Sequence, residues 1–239
     1  MRIVFIADSH AKGPDDQSQK QLSRFLEALS NNPPERLVIL GDLFDFWIGT
    51  SGFIYYRYLP VLAPLLKLRK LGTEITYLEG NHDFSLGPFF TEFLGADVHP
   101  DSTELSLDGK RIFLSHGDIV DRSVRYRLWR GFLRSPFSKA LVMMLPAWVL
   151  FRIASSLSRK SRTYRESAPH VEKALKDFAM ELAKSNYDGC VMAHSHMASI
   201  ETFKNNGKNF TYSNAGSFGN DGAYITYENG AFRLERYSA

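Results

Sequence analysis

Residues 2–10 read RIVFIADSH. The run from Arg2 to Ala7 is apolar, rich in β-branched side chains and too short for a globular helix, so it predicts a strand buried on both faces. It ends on Asp8 and His10, which are polar, ligand-type residues. The same arrangement recurs four times: RLVILGD at 36–42, EITYLEGNHD at 74–83, RIFLSHGD at 111–118 and GCVMAHSH at 189–196. Between the apolar runs lie helical patterns. Asp16–Ser30 places Leu22, Phe25, Leu26 and Leu29 at helical spacing before Asn31–Pro34 stops it. Ile54–Leu71 ends at Gly72, and Pro169–Ser185 reads as helix again. Asp108-Gly109 between Leu105–Leu107 and Arg111–Leu114 is a hairpin signal. From Gly189 onward, strands are expected between turns at Asn205–Gly207, Asn220–Gly222 and Asn229-Gly230. Strands alternating with helices predict a layered α/β fold. In open α/β sheets, ligands collect at the carboxyl ends of strands, so the five clusters are expected to converge in one crevice.

Composition sets the outer limits. With 44% hydrophobic and 23% charged residues in 239, the chain is an ordinary globular protein, which excludes disordered and fibrous classes. The one cysteine, Cys190, lies in the apolar run GCVMA and rules out an internal disulfide framework. The charged motif at Asp8 leaves no room for a signal peptide, which predicts a cytoplasmic protein.

Charge is unevenly spread. From Arg122 to Arg165 there are eleven Lys or Arg and no Asp or Glu, leaving the rest of the chain net acidic. Such a local excess attracts phosphates, nucleic acid or an anionic lipid surface. The segment at about 121–167 is therefore read as a helical insertion on a single domain spanning 1–239. Its longest apolar run, Ala140–Phe151, is interrupted by Pro146 and followed by Arg152. That is short of the roughly 20 residues a membrane span requires. It fits either an interfacial helix pair or a cap packed on the core.

Taken singly, each polar cluster is weak. Asp-x-His is commonly a capping arrangement, and Gly-Asn-His-Asp can be a plain turn. His-x-His says more, because on a strand residues two apart share a face. Together they are specific: five of the chain's seven histidines fall inside the clusters. The blocks Asp8-x-His10, Gly41-Asp42, Gly80-Asn-His-Asp83, His116-Gly117 and Ala193-His-x-His196 resemble, in order and spacing, those of the calcineurin-like metallophosphoesterases. The one departure is Ala193, where that family usually has glycine; it removes no ligand.

The resemblance implies a four-layer α-β-β-α sandwich with a helical cap insertion, and two divalent metal ions. Asp8, His10 and His196 are expected to hold one ion. Asn81, His116 and His194 would hold the other, with Asp42 bridging. Mixed His, Asp and Asn ligands suit Mn²⁺, with Fe or Zn²⁺ as alternatives, better than Mg²⁺ alone. His82 is expected to contact the phosphate or the leaving oxygen, with Asp83 orienting it. Asp118 and Asp121 are expected to fix a ligating imidazole.

The longer string GDLFDFWIG at 41–49 is similar to the UDP-2,3-diacylglucosamine hydrolases of lipid A biosynthesis. That resemblance implies a nucleotide-diphosphate lipid substrate and peripheral contact with the cytoplasmic face of the inner membrane. Leu141, Leu145, Trp148, Phe151 and Ile153 are the expected acyl contacts. Asp121, Arg159, Lys160, Arg162 and Arg165 are the expected polar contacts of the substrate. The best-known branch of those enzymes carries Arg at the position of His82, which leaves room for another nucleotide or phosphodiester substrate. A nuclease would use the basic stretch to track phosphates, but Leu, Val and Met outnumber base-stacking aromatics there, so no nucleic acid is expected. A non-catalytic scaffold would have lost ligands, and all seven positions are filled. Asn214–Gly219 gives no subfamily signal, and oligomeric state is not legible.

Overall fold

The computed structural model describes residues 1–47, 49, 52–135, 137, 138, 140, 168–205 and 207–238. The expected contacts Leu141, Leu145, Trp148, Phe151, Ile153, Arg159, Lys160, Arg162 and Arg165 lie outside the described residues. In chain order the elements are β1 (Arg2–Ile6), α1 (Gln17–Leu29), β2 (Arg36–Ile39), α2 (Gly52–Lys70), β3 (Glu74–Leu78), β4 (Asp97–His99), β5 (Ser102–Leu107) and β6 (Lys110–Ser115). They continue with α3 (Val124–Arg134), α4 (Ala168–Ala183), β7 (Gly189–Met192), β8 (Ser199–Asn205), β9 (Lys208–Asn214), α5 (Phe218–Asp221), β10 (Ala223–Glu228) and β11 (Ala231–Arg236).

The strands form two sheets. A six-stranded sheet runs β11-β10-β1-β2-β3-β4 and a five-stranded sheet runs β5-β6-β7-β9-β8. β1 through β4 are parallel, as are β6, β7 and β9. The alternation along β1 shows why its whole run is apolar. Val4 and Ile6 pack with Leu22, Phe25 and Leu26 of α1 and Val61, Leu62 and Leu65 of α2. Ile3 and Phe5 point the other way, against Ile112 and Leu114 of β6 and Val191 of β7. A third core forms where Val171, Leu175, Ala179 and Leu182 of α4 meet Cys190, Met192, Phe210 and Tyr212. Helices, sheet, sheet and helix therefore stack as the expected four α-β-β-α layers. Each fully buried large apolar side chain adds about 1.5–3 kcal/mol.

Two local findings bear on the site. In the GDLFDFWIG string, Phe44 and Trp47 are fully buried and stacked at 4.7 Å, so these aromatics belong to the core beneath the site. The turn expected at Asn220–Gly222 is instead helix α5, closed by Gly222 at φ +68°. Strands β9 and β10 lie in different sheets, so their link is a crossover anchored by buried Phe218 against Phe25, not a hairpin. Among the described residues no helix is long and apolar enough to cross a membrane.

Candidate metal centre

The five clusters follow the carboxyl ends of β1, β2 and β3 in one sheet and β6 and β7 in the other, so they meet where the sheets abut. Each strand must end abruptly to turn its polar residues inward. Asp8, His10, Asp42, His194 and His196 accordingly have φ between 47° and 73°. A left-handed backbone costs a non-glycine residue on the order of 1 kcal/mol or more, so strain concentrates on the expected ligands. Gly80 is required by space: a Cβ there would lie 2.0 Å from Asp42 Oδ1.

The expected ligands converge. His10 Nε2 faces His196 Nε2 at 3.4 Å. Asp8 Oδ1 lies 3.5 Å from His10 Nε2 and 3.2 Å from His196 Nε2. On the other side His116 Nε2 sits 3.3 Å from Asn81 Oδ1 and 3.1 Å from His194 Nδ1. Asp42 Oδ2 spans the two groups, 3.5 Å from His116 Nε2 and 3.9 Å from His10 Nε2. Asp42 Oδ1 is occupied by the His82 amide, so one oxygen of this carboxylate, rather than both, is available as a bridge.

These groups fit divalent cations. Asp8 Oδ1 is buried yet accepts no hydrogen bond, an arrangement costly in a folded interior unless a positive partner serves it. His116 Nδ1 donates to the Leu40 carbonyl at 2.7 Å, so in the neutral ring the Nε2 lone pair would face the Asn81 and Asp42 oxygens. Acceptors facing acceptors repel, and a cation between them reverses the sign. Among the described residues, ligand-type atoms also cluster in three groups: Asp8, His10 and His196; Asp8, Asp42 and His116; and His10, Asp45 and His82.

The electrostatics follow from crowding. Burial opposes a charge on His116, but Asp42 and Asp8 outweigh it and push this imidazole up to about 9. Burial and the His116 charge bring His194 down to about 4. Burial raises the Asp8 carboxyl, yet His196, His10 and His116 hold it well below the usual range.

Two expected roles are corrected. Asp83 does not orient His82. Its Oδ1 accepts the amides of Asp42 and Gly80, and its Oδ2 those of Leu43 and Phe44 and the Tyr77 hydroxyl. The carboxylate is a buried clasp between the β2 and β3 loops; His82 Nδ1 meets the Asp45 carbonyl instead, at 3.0 Å. Asp118 fixes no imidazole: buried behind the site, it accepts from Tyr126 and Arg130. Asp121 caps a turn through the Ser123 amide and lines the cavity, reaching no ligand ring.

Sequence reasoning missed other supports. The buried Glu172 carboxylate accepts from Ser195, Asn214 and Tyr212, pinning the loop between His194 and His196. The Ser217 hydroxyl donates to the Asp8 carbonyl at 2.8 Å. Thus Asn214–Gly219, silent as a signature, buttresses both ligand loops. Asp45 stood inside the quoted GDLFDFWIG string, but nothing there separated it from the core residues around it.

Over the ligands opens a cavity of about 730 Å³, rimmed by Lys12, Asp121, Tyr126 and Met197. A family model described as calcineurin-like phosphoesterase matches residues 1–198. The chain is 25% identical over 243 residues to a UDP-2,3-diacylglucosamine hydrolase of Aliivibrio fischeri (strain MJ11), covering 99% of this chain and 98% of that one. It is 30% identical over 163 residues to one from Pseudomonas aeruginosa (strain UCBPP-PA14), covering 68% and 67%. A solved archaeal phosphodiesterase, 13% identical, superposes with a TM-score of 0.53 over 98% of this chain and 99% of the other, and shares the fold.

Proposed function

The chain belongs to the calcineurin-like phosphoesterase family, and on that premise we propose that it hydrolyses the pyrophosphate of UDP-2,3-diacylglucosamine to UMP and 2,3-diacylglucosamine 1-phosphate. The observation that carries this reading is end-to-end likeness to a hydrolase of that name in a chain whose strand ends bring the seven expected ligands together. As a member of its family the protein is a metal-dependent hydrolase; Mn²⁺ is the ion proposed here.

Asp8, His10 and His196 would hold one cation, and Asn81, His116 and His194 the second, with Asp42 Oδ2 shared between them. When bound, two such ions supply positive charge that acidifies the attacking water and offsets charge building on the phosphate. The chain's own contribution is placement and proton control. The Asp45 carbonyl can only accept, so it keeps a proton on His82 Nδ1 and leaves Nε2 to give or take one at the leaving oxygen. Water adds across one P–O bond of the pyrophosphate, and both products leave as phosphate monoesters.

The basic, apolar insertion supports a lipid-bearing substrate and peripheral contact with the cytoplasmic face of the inner membrane. On α3, Val124, Leu128 and Phe132 are exposed at 71%, 69% and 44%. Exposed apolar residues flanked by arginines suit a headgroup boundary. The deciding experiment is hydrolysis of UDP-2,3-diacylglucosamine with Mn²⁺ beside bis-p-nitrophenyl phosphate. UMP release far faster than diester cleavage is expected. Cleavage of the diester alone would discard the lipid substrate and keep the metal chemistry. Failure to bind anionic vesicles at low salt would remove the membrane contact.

A further inference from the structure

Helix α3 sits on the protein with its polar side inward. None of its residues is buried, and Val124, Leu128 and Phe132, one turn apart in sequence, face outward. The side that meets the core carries Tyr126, Arg130 and Arg134, with Leu133 the one half-buried apolar residue among them. A helix normally adheres through its apolar stripe; this one is held by ion pairs and hydrogen bonds.

Those contacts reach two of the three loops of the second ligand group, those of Asn81 and His116. Arg130 Nε donates to Asp118 Oδ2 at 2.9 Å, and the Tyr126 hydroxyl to the same oxygen at 2.6 Å. Asp118 is 1% exposed and lies two residues past His116. Arg130 also bonds Asp101 and the Pro100 carbonyl. Arg134 Nη1 donates to Asp101 at 2.8 Å, and its Nη2 lies 3.5 Å from Glu79 Oε2. Glu79 in turn accepts the Ser85 amide at 2.6 Å, closing the loop that carries Asn81 and His82. Through this frame Tyr126 becomes part of the cavity wall.

We propose that Arg130 and Arg134 are positioning residues that latch α3 onto the Asn81 and His116 loops, and that this latch sets the preference for a lipid-linked substrate over a small diester. The inference rests on the substrate reading above. Without the latch, the apolar side of α3 would turn inward and Tyr126 would leave the wall, whereas a small diester needs only the ions and His82.

The test compares Arg130→Gln, Arg134→Gln and the double variant on UDP-2,3-diacylglucosamine in detergent micelles and on bis-p-nitrophenyl phosphate, with thermal midpoints recorded alongside. The ratio of the two kcat/KM values should fall about tenfold or more in the double variant, chiefly through KM for the lipid substrate. If Arg130→Gln does not fold, since it strands a buried carboxylate, Tyr126→Phe removes only the hydroxyl bond and should still lower the ratio. Equal loss on both substrates, or a ratio held within about twofold, overturns the latch. A wild type with no preference overturns the substrate reading and the latch with it; a preference that the variants keep overturns the latch alone.

Discussion

The amide of His82 donates to Oδ1 of Asp42 at 2.9 Å. The carboxylate that faces both ligand groups is thereby tied to the loop presenting the one cavity imidazole assigned to the leaving group. Ion placement and proton placement share a hinge point. A shift of Asp42 moves both, which sets the first expectation.

Asp42→Ala should lose one or both metal ions and nearly all turnover, on the order of a thousandfold or more, because the charge shared between the groups disappears. Metal content by plasma emission beside kcat on bis-p-nitrophenyl phosphate checks it. A variant that retains both ions and full rate would refute the assignment of Asp42.

Asp83 is assigned to holding loops together, so its loss should appear in stability. Asp83→Ala strands four amides and the Tyr77 hydroxyl in the interior, which should cost about 3 kcal/mol or more. Urea unfolding of metal-free protein measures this directly. An unchanged midpoint would mean water or a shifted loop replaces the carboxylate.

Glu172 should act on the metals from behind. Glu172→Ala frees Ser195, between two expected ligands, and should weaken metal affinity about 10- to 100-fold. Competition against a fluorescent chelator reads that shift. Equal affinity in wild type and variant would reduce Glu172 to a core contact.

The proton on His116 gives a pH expectation for the metal-free protein. Its folded-state value is raised to about 9 by Asp42 and Asp8 against burial. A raised imidazole contributes stability fully below its unfolded value of about 6.5 and loses it as pH climbs through 9. A cation needs the neutral ring, so apparent Mn²⁺ affinity should rise by up to about tenfold per pH unit from 6 to 8, with about one proton released. Calorimetric titration in two buffers of different protonation enthalpy counts that proton. Zero release at pH 7 would show that His116 is already neutral.

How much was legible in the sequence depended on range. β1 could be read because burial on both faces leaves a local record, and Asp8 and His10 because they follow it at once. Asp83 was misassigned because adjacency to His82 says nothing about side-chain direction at a sharp loop; three of its five donors come from the distant 42–44 stretch. Glu172 left no trace, since a lone glutamate in a helical pattern resembles any solvated one until Ser195 and Asn214 arrive from elsewhere. The insertion carrying α3 was expected to be helical, with no facing read for α3 itself. Which side faces the core was decided by Glu79, Asp101 and Asp118, outside the helix.

The left-handed backbone at Asp8, His10, Asp42, His194 and His196 is fixed in the folding of the scaffold. Contacts outside the ligand set brace it, the Ser217 hydroxyl on the Asp8 carbonyl and the Asp83 carboxylate on the Asp42 amide. A socket braced in this way is expected to take up an ion after stripping by a chelator without a refolding step, which circular dichroism before and after reloading would read.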